Sequence, residues 1–274
     1  MNADESLNTS SPARQRGLFY AWNLGLPLLC AVLTFVVFDL TSLDRWFGDQ
    51  LYQLGGQHFP LQSNGLFEHF THNWTSIIPD TTSTLAIIGS LLSFVWPRFK
   101  ADRHSKAIAF LERVKMVPVL QFITRHRRDF LFVVVAFAID SGMTRFLKVH
   151  TNIYCPVQTL PYGGTQEMMH WFENFSLLHE PKGTGRCWPG GHAVTGFSIV
   201  ALYFVALRQR WQHARKVLYV ALAMGVVYGT IRVFQGIHFM SHTPWGMIMV
   251  WLCTLFTALA FYGRKRLQQP ALQR

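Results

Sequence analysis

The sequence predicts an all-α polytopic membrane protein with six transmembrane helices, and three observations carry that prediction. Half of the 274 residues are hydrophobic and only 14% are charged, a balance too apolar for an ordinary soluble domain. Several apolar runs reach the roughly 20 residues that a helix needs to cross a bilayer. The basic residues collect in alternate connections between those runs, as they do in membrane proteins with a positive inner side. A single membrane domain, residues 1–274, uses the whole length.

Spans are expected at about 17–40, 74–96, 129–149, 192–207, 216–234 and 244–262. The first follows Arg14 and Arg16 and has no small-x-small pattern before Phe38 and Asp39, so it reads as an uncleaved anchor. The second contains Pro79 and Asp80, and the third Asp140 and Arg145. Ionisable groups at that depth face protein or water rather than lipid.

Both termini and the connections after spans two and four hold 19 of the 25 Lys and Arg residues, nine of them between Arg98 and Arg128. Those segments are expected in the cytoplasm, and 41–73, 150–191 and 235–243 outside. The formal net charge of +11 is then a topology signature and gives no reason to expect nucleic acid.

Apolar residues recur at helical spacing in two outer segments, at Leu43, Trp46, Phe47, Leu51 and Leu54, and again at Met168, Met169, Trp171, Phe172 and Phe175. Each is expected to form an amphipathic helix, on the outer leaflet or packed on the bundle. The basic stretch 105–123, broken by Pro118, suits contact with anionic lipid. Of four cysteines, Cys30 and Cys253 lie inside spans, while Cys155 and Cys187 share an outer loop and are expected to form a disulfide if that side is oxidising.

Chemistry concentrates at the outer ends of spans three to five. Arg232 and His238 stand six residues apart where span five ends. A guanidinium can fork onto phosphate oxygens, and a neutral imidazole can attack phosphorus or move a proton. Cys187-Trp-Pro-Gly-Gly-His192 puts Gly190 and Gly191 before a histidine that opens span four, where backbone amides can hold an anion. Lys148 ends span three on the same side.

Taken in order, Lys148 with Cys155-Pro156, then Pro189-Gly190-Gly191-His192, then Ile231-Arg232 with His238 and His242, resemble the three-part signature of the type 2 phosphatidic acid phosphatase family. The motifs cover about a third of the chain. That resemblance implies metal-free cleavage of a lipid phosphate or diphosphate at the membrane surface, with no cofactor. It makes His238 the nucleophile, His192 the proton donor to the leaving oxygen, and Lys148 and Arg232 the holders of the phosphoryl oxygens, with Gly190 and Gly191 beside the phosphate. It also implies a bacterial inner membrane with the site facing the periplasm.

Four positions depart from the family pattern. Cys155 replaces its first Arg, Gly190 a Ser, Ile231 a second Ser, and His242 the Asp that orients the nucleophile. Lys182 and Arg186 are the candidates to replace the arginine, and His242, Asp80 and Asp140 to do the work of the acid. Transfer of the phosphoryl group to another lipid and a relative that only binds lipid phosphate are the alternatives within the family. A zinc or copper site using His238, His242, His150, His170 or His179 is the alternative outside it. No Glu follows His238, and Lys148 and Arg232 would repel a cation.

Overall fold

The computed structural model describes residues 12–62, 65–269 and 271; Arg274, counted above with the basic C-terminal end, lies outside them. Six helices in it are long and apolar enough to cross a membrane: Ala13–Asp39, Ser76–Arg98, Arg127–Gln158, Gly191–Arg208, Ala214–Phe234 and His242–Tyr262. These correspond to the six expected spans, with ends displaced by up to four residues except in the third, which reaches Gln158 where 149 was expected. No β-strand forms among the described residues.

We label the helices α1 (Ala13–Asp39), α2 (Leu43–Leu54), α3 (Gly65–Val95), α4 (Ala101–Arg113), α5 (Val117–Arg125), α6 (Arg127–Thr151), α7 (Gly191–Arg208), α8 (Ala214–Phe234) and α9 (His242–Tyr262). Leu28, Leu29, Val32 and Leu33 on α1 are each more than half exposed. A water-soluble surface would not tolerate that patch, whereas lipid does.

α6 sits at the centre, against α3, α7 and α9, and buries Phe132, Ala136 and Asp140 completely. At the end where the basic connections lie, Asp129 of α6 pairs with Arg208 of α7 at 2.5 Å and accepts the Tyr262 hydroxyl of α9 at 2.9 Å. Three helices are thereby tied at the end remote from His192, His238 and His242.

Glycine sets the spacing of the helices that carry them. A Cβ on Gly196 of α7 would lie 2.8 Å from the Cα of Gly225 on α8. A Cβ on Gly229, one turn further along α8, would lie 2.2 Å from the Thr243 hydroxyl of α9. Only hydrogen fits at either contact, so the backbones of α7, α8 and α9 approach closely, as small residues permit inside membranes.

The outer helix expected at Leu43 to Leu54 forms as α2, and the basic amphipathic stretch forms α4 and α5, with Pro118 in the first turn of α5. The helix expected from Met168 to Phe175 does not form. Its aromatic residues are drawn to separate partners instead: Trp171 stacks on Trp188 with centroids 5.0 Å apart and meets Trp245 edge-on, while Phe172 meets Phe35 of α1. Tertiary ring contacts outweigh local helical propensity in so short a segment.

Candidate functional site

The third motif straddles the end of α8 and the start of α9. α8 closes with Gly236 at φ +68, a left-handed position where a Cβ would also strike the Phe59 ring at 2.2 Å. Glycine there lets the chain reverse sharply. The amides of Ile237 and His238 return to the Arg232 carbonyl, at 2.9 and 3.3 Å. The six-residue spacing is therefore one helix cap: Arg232 stays on the helix, and His238 is folded back beside it. Both are buried, at 3% and 4% exposure.

Arg232 extends one guanidinium nitrogen to the Gln235 side-chain oxygen at 2.9 Å and the other to His192 Nε2 at 2.7 Å. Guanidinium can only donate, so His192 Nε2 is unprotonated in that contact. Gln235, itself buried, escaped the sequence reading because a polar residue past a helix end has no distinctive pattern.

The second motif is joined to the third through backbone. The Gly190 amide donates to the His242 carbonyl at 3.2 Å, and the Gly190 carbonyl accepts from Val194 to start α7. A Cβ on Gly190 would lie 3.6 Å from His238 Cδ2, and one on Gly191 would lie 3.2 Å from Lys148 Nζ. Two adjacent glycines thus separate the imidazole edge from the ammonium. Lys148, His192, Arg232 and His238 come together from α6, α7, α8 and the turn after α8.

His238 Nδ1 faces His242 Nδ1 at 3.3 Å, and the ring of His242 is also hydrogen-bonded to the Cys187 backbone. Burial first, then the positive surroundings of His242, Lys148, His192 and Arg232, hold the His238 pKa well below its ordinary value. It is neutral at physiological pH, with a lone pair available.

Cys155 and Cys187 are joined by a disulfide, with Cα atoms 5.2 Å apart, and the Cys187 sulfur lies 3.2 Å from His238 Nδ1. The disulfide binds the end of the first motif to the start of the second. Among the described residues, the one grouping with metal-ligand spacing is Cys155, Cys187 and His238. Its two sulfurs are oxidised to each other and offer no thiolate.

A cleft of about 770 Å³ opens beside Lys148 and His192, and Thr144, Arg145, Glu180 and Arg186 also line it. Arg186 is placed there by Asn152, which follows α6 in a left-handed conformation (φ 50). The Asn152 side chain donates to the Lys182 carbonyl at 2.8 Å and accepts from the Gly185 amide at 2.7 Å and the Arg186 guanidinium at 3.3 Å. Of the two cations proposed to replace the missing arginine, Arg186 lines the cleft and Lys182 does not. A second cavity of about 330 Å³ shares Ser141, Val194 and Thr195 with this cleft and continues between α3, α6 and α7 along Ile87, Val134 and Phe137.

The acids expected to stand in for the family's Asp lie elsewhere. Asp140 is buried lower in the bundle, near Thr254 at 3.4 Å, and Asp80 lines the second cavity. Two other carboxylates, Asp39 and Asp44, share a small cavity with His242, Ser241 and Trp188. Neither was singled out, because both sit about 200 positions away in sequence.

A bundle of six membrane-length helices, with two imidazoles, an ammonium and a guanidinium gathered at one end beside a cleft that Lys148 and His192 line, defines a class: helical membrane proteins with a cationic, histidine-bearing site. The sequence profile of the PAP2 superfamily matches residues 129–266, half of the chain, and the chain belongs to that superfamily, whose members are phosphatases. No curated protein and no solved structure matches it.

Proposed function

We propose that the protein is an integral membrane phosphatase that removes phosphate from a lipid phosphate or diphosphate at the outer, periplasmic face of a bacterial inner membrane, through a phosphohistidine on His238. The observation that carries this reading is that two cavities adjoin, sharing Ser141, Val194 and Thr195 in their walls. The cleft lined by Lys148, Arg186 and His192 would take a charged headgroup, and the neighbouring cavity, whose walls mix Ile87, Val134 and Phe137 with Asp80 and Ser83, lies between helices where a hydrocarbon chain would enter. The disulfide and the distribution of basic residues both support the orientation.

His238 attacks phosphorus with its second ring nitrogen, on the edge that approaches Gly190. The new N–P bond forms as the P–O bond to the lipid breaks, and the leaving oxygen takes a proton from His192. A phosphate oxygen displaces His192 from the Arg232 N–H, and a substrate arriving as the monoanion supplies the proton that His192 needs. Water then cleaves the N–P bond with His192 as base. Lys148, Arg232 and Arg186 hold the equatorial oxygens, where a phosphoryl transition state needs positive charge most.

His242 takes over the tautomer control that the family assigns to Asp. A neutral imidazole has one N–H, and the Cys187 carbonyl takes that of His242. Its Nδ1 is then an acceptor for the His238 Nδ1–H, which keeps the lone pair on the attacking nitrogen.

The test is phosphate release by purified protein in detergent over a panel of lipid phosphates and diphosphates, with trapping of labelled phosphohistidine. Release and trapping that both vanish in His238→Ala are expected. Label passing to a second lipid without phosphate release identifies a transferase instead. Binding without either identifies an inactive relative and overturns the proposal.

A further inference from the structure

Phosphorylating His238 builds positive charge on a ring that already has Lys148, Arg232 and His192 around it. The family answers this with an Asp beside the nucleophile; here position 242 is a second neutral ring. An anion has to lie close by, yet Asp80 and Asp140 are turned to other surroundings.

We infer that Asp44, on a helix outside the family-matched residues, is the positioning residue that anchors the His238–His242 turn and balances its charge from behind. The inference rests on the catalytic assignment of His238. Asp44 lies in the first turn of α2 and is 5% exposed. Its Oδ1 accepts the Ser241 amide at 2.9 Å, and its carboxylate also bonds the Ser241 hydroxyl. Ser241 is the residue on which α9 starts, and His242 is the first residue of that helix. Asp44 therefore caps α9 from another helix, at the positive end of its dipole and one residue from the ring that orients the nucleophile. Asp44 and Asp39 line one small cavity with His242, so the carboxylate shares a largely buried space with that ring, where charge acts strongly.

Asp39 of α1 and His170 and Tyr162 of the long loop bear on this carboxylate, and His242 lines the same cavity. Asp39 is held by the Trp245 indole at 2.8 Å, so its charge is turned to α9 one turn further along. Asp44 is the one fixed on the turn itself. Burial raises its pKa from 3.8 to about 6. The carboxylate is ionised above that value, so turnover that depends on it declines as pH drops through about 6. Stability moves the other way. Between about 4 and 6 the folded chain keeps a proton that the unfolded chain has lost, so folding is favoured as pH drops through that window.

The experiment is Asp44→Asn in the full-length protein. The amide oxygen can still accept from Ser241 while the charge is removed. We expect kcat at pH 8 to decline by about tenfold or more, as for loss of one unit of charge stabilisation, with KM within about threefold. The melting temperature should stay level or rise, and the acid limb near pH 6 should disappear. In a His242→Asp background, which supplies a carboxylate directly, the same change should cost less than about threefold. Unchanged kcat with an unchanged acid limb overturns the inference. So does a joint decline of kcat and melting temperature with the acid limb intact. A wild type that releases no phosphate sinks the phosphatase reading instead. The inference is then read from orthovanadate, a phosphoryl mimic that bonds to a neutral imidazole. Its stabilising shift in melting temperature should shrink in Asp44→Asn, and an equal shift, or none in either protein, overturns the inference.

Discussion

The Gly190 amide donates to the carbonyl of His242 at 3.2 Å, so the loop that opens α7 and the helix that begins with His242 are one backbone unit. A Cβ at 190 would lie 3.3 Å from that carbonyl and 3.6 Å from His238 Cδ2. Both are close contacts that a small shift absorbs. Gly190→Ser should therefore leave the melting temperature within a few degrees and phosphate release at wild-type level or above, since it restores the family's hydroxyl beside the phosphate. A branched side chain has no such room, and Gly190→Val should lower kcat/KM by about tenfold or more, measured on the same lipid phosphate.

If His242 holds the tautomer of His238, His242→Asp preserves or raises turnover, and His242→Ala lowers it by about one to several orders of magnitude, as loss of an orienting acid does in hydrolase triads. Steady-state kcat of both variants checks this. Wild-type kcat in both would assign the orienting role to another group.

Arg186 and Lys182 should separate cleanly. Arg186 lines the cleft and Lys182 only lends its carbonyl to Asn152. Arg186→Ala is expected to lower kcat/KM about tenfold, the size of one lost charge-assisted contact, with kcat declining as well as KM rising. Lys182→Ala should leave both constants unchanged.

The glycine contact between α7 and α8 can be tested apart from the chemistry. A methyl at position 225 would meet the Phe197 ring at 2.1 Å, too close for either helix to keep its place. Gly225→Ala is expected to destabilise by about 1–3 kcal/mol through overpacking. Thermal unfolding in detergent measures it, and phosphate release should decline in parallel because His192 and Arg232 ride on those two helices.

The Cys155–Cys187 bond closes a loop of sequence separation 32. On the chain-entropy account, removing it costs about 3–4 kcal/mol. Mass spectrometry of unreduced peptides should recover the crosslink. Cys155→Ser should lower both the melting temperature and turnover, because the bond joins the Lys148 and His192 segments. Two alkylated thiols in the native protein would remove the premise.

What the sequence determined by itself is what short-range pattern encodes. Apolar run length set the six spans, since a bilayer of given thickness demands helices of given length, and charge distribution set their expected sidedness. Lys148, His192, Arg232 and His238 were legible because each belongs to a local motif at a helix end. Tertiary structure decided the rest. The segment from Met168 to Phe175 has helical periodicity, but its rings pack against Trp188, Trp245 and Phe35 and the helix is lost. The choice of Arg186 over Lys182 depends on how Asn152 folds the loop. Asp44 meets Ser241 across 197 positions. No periodicity or spacing reports a contact at that range, because it exists only once the helices between have packed.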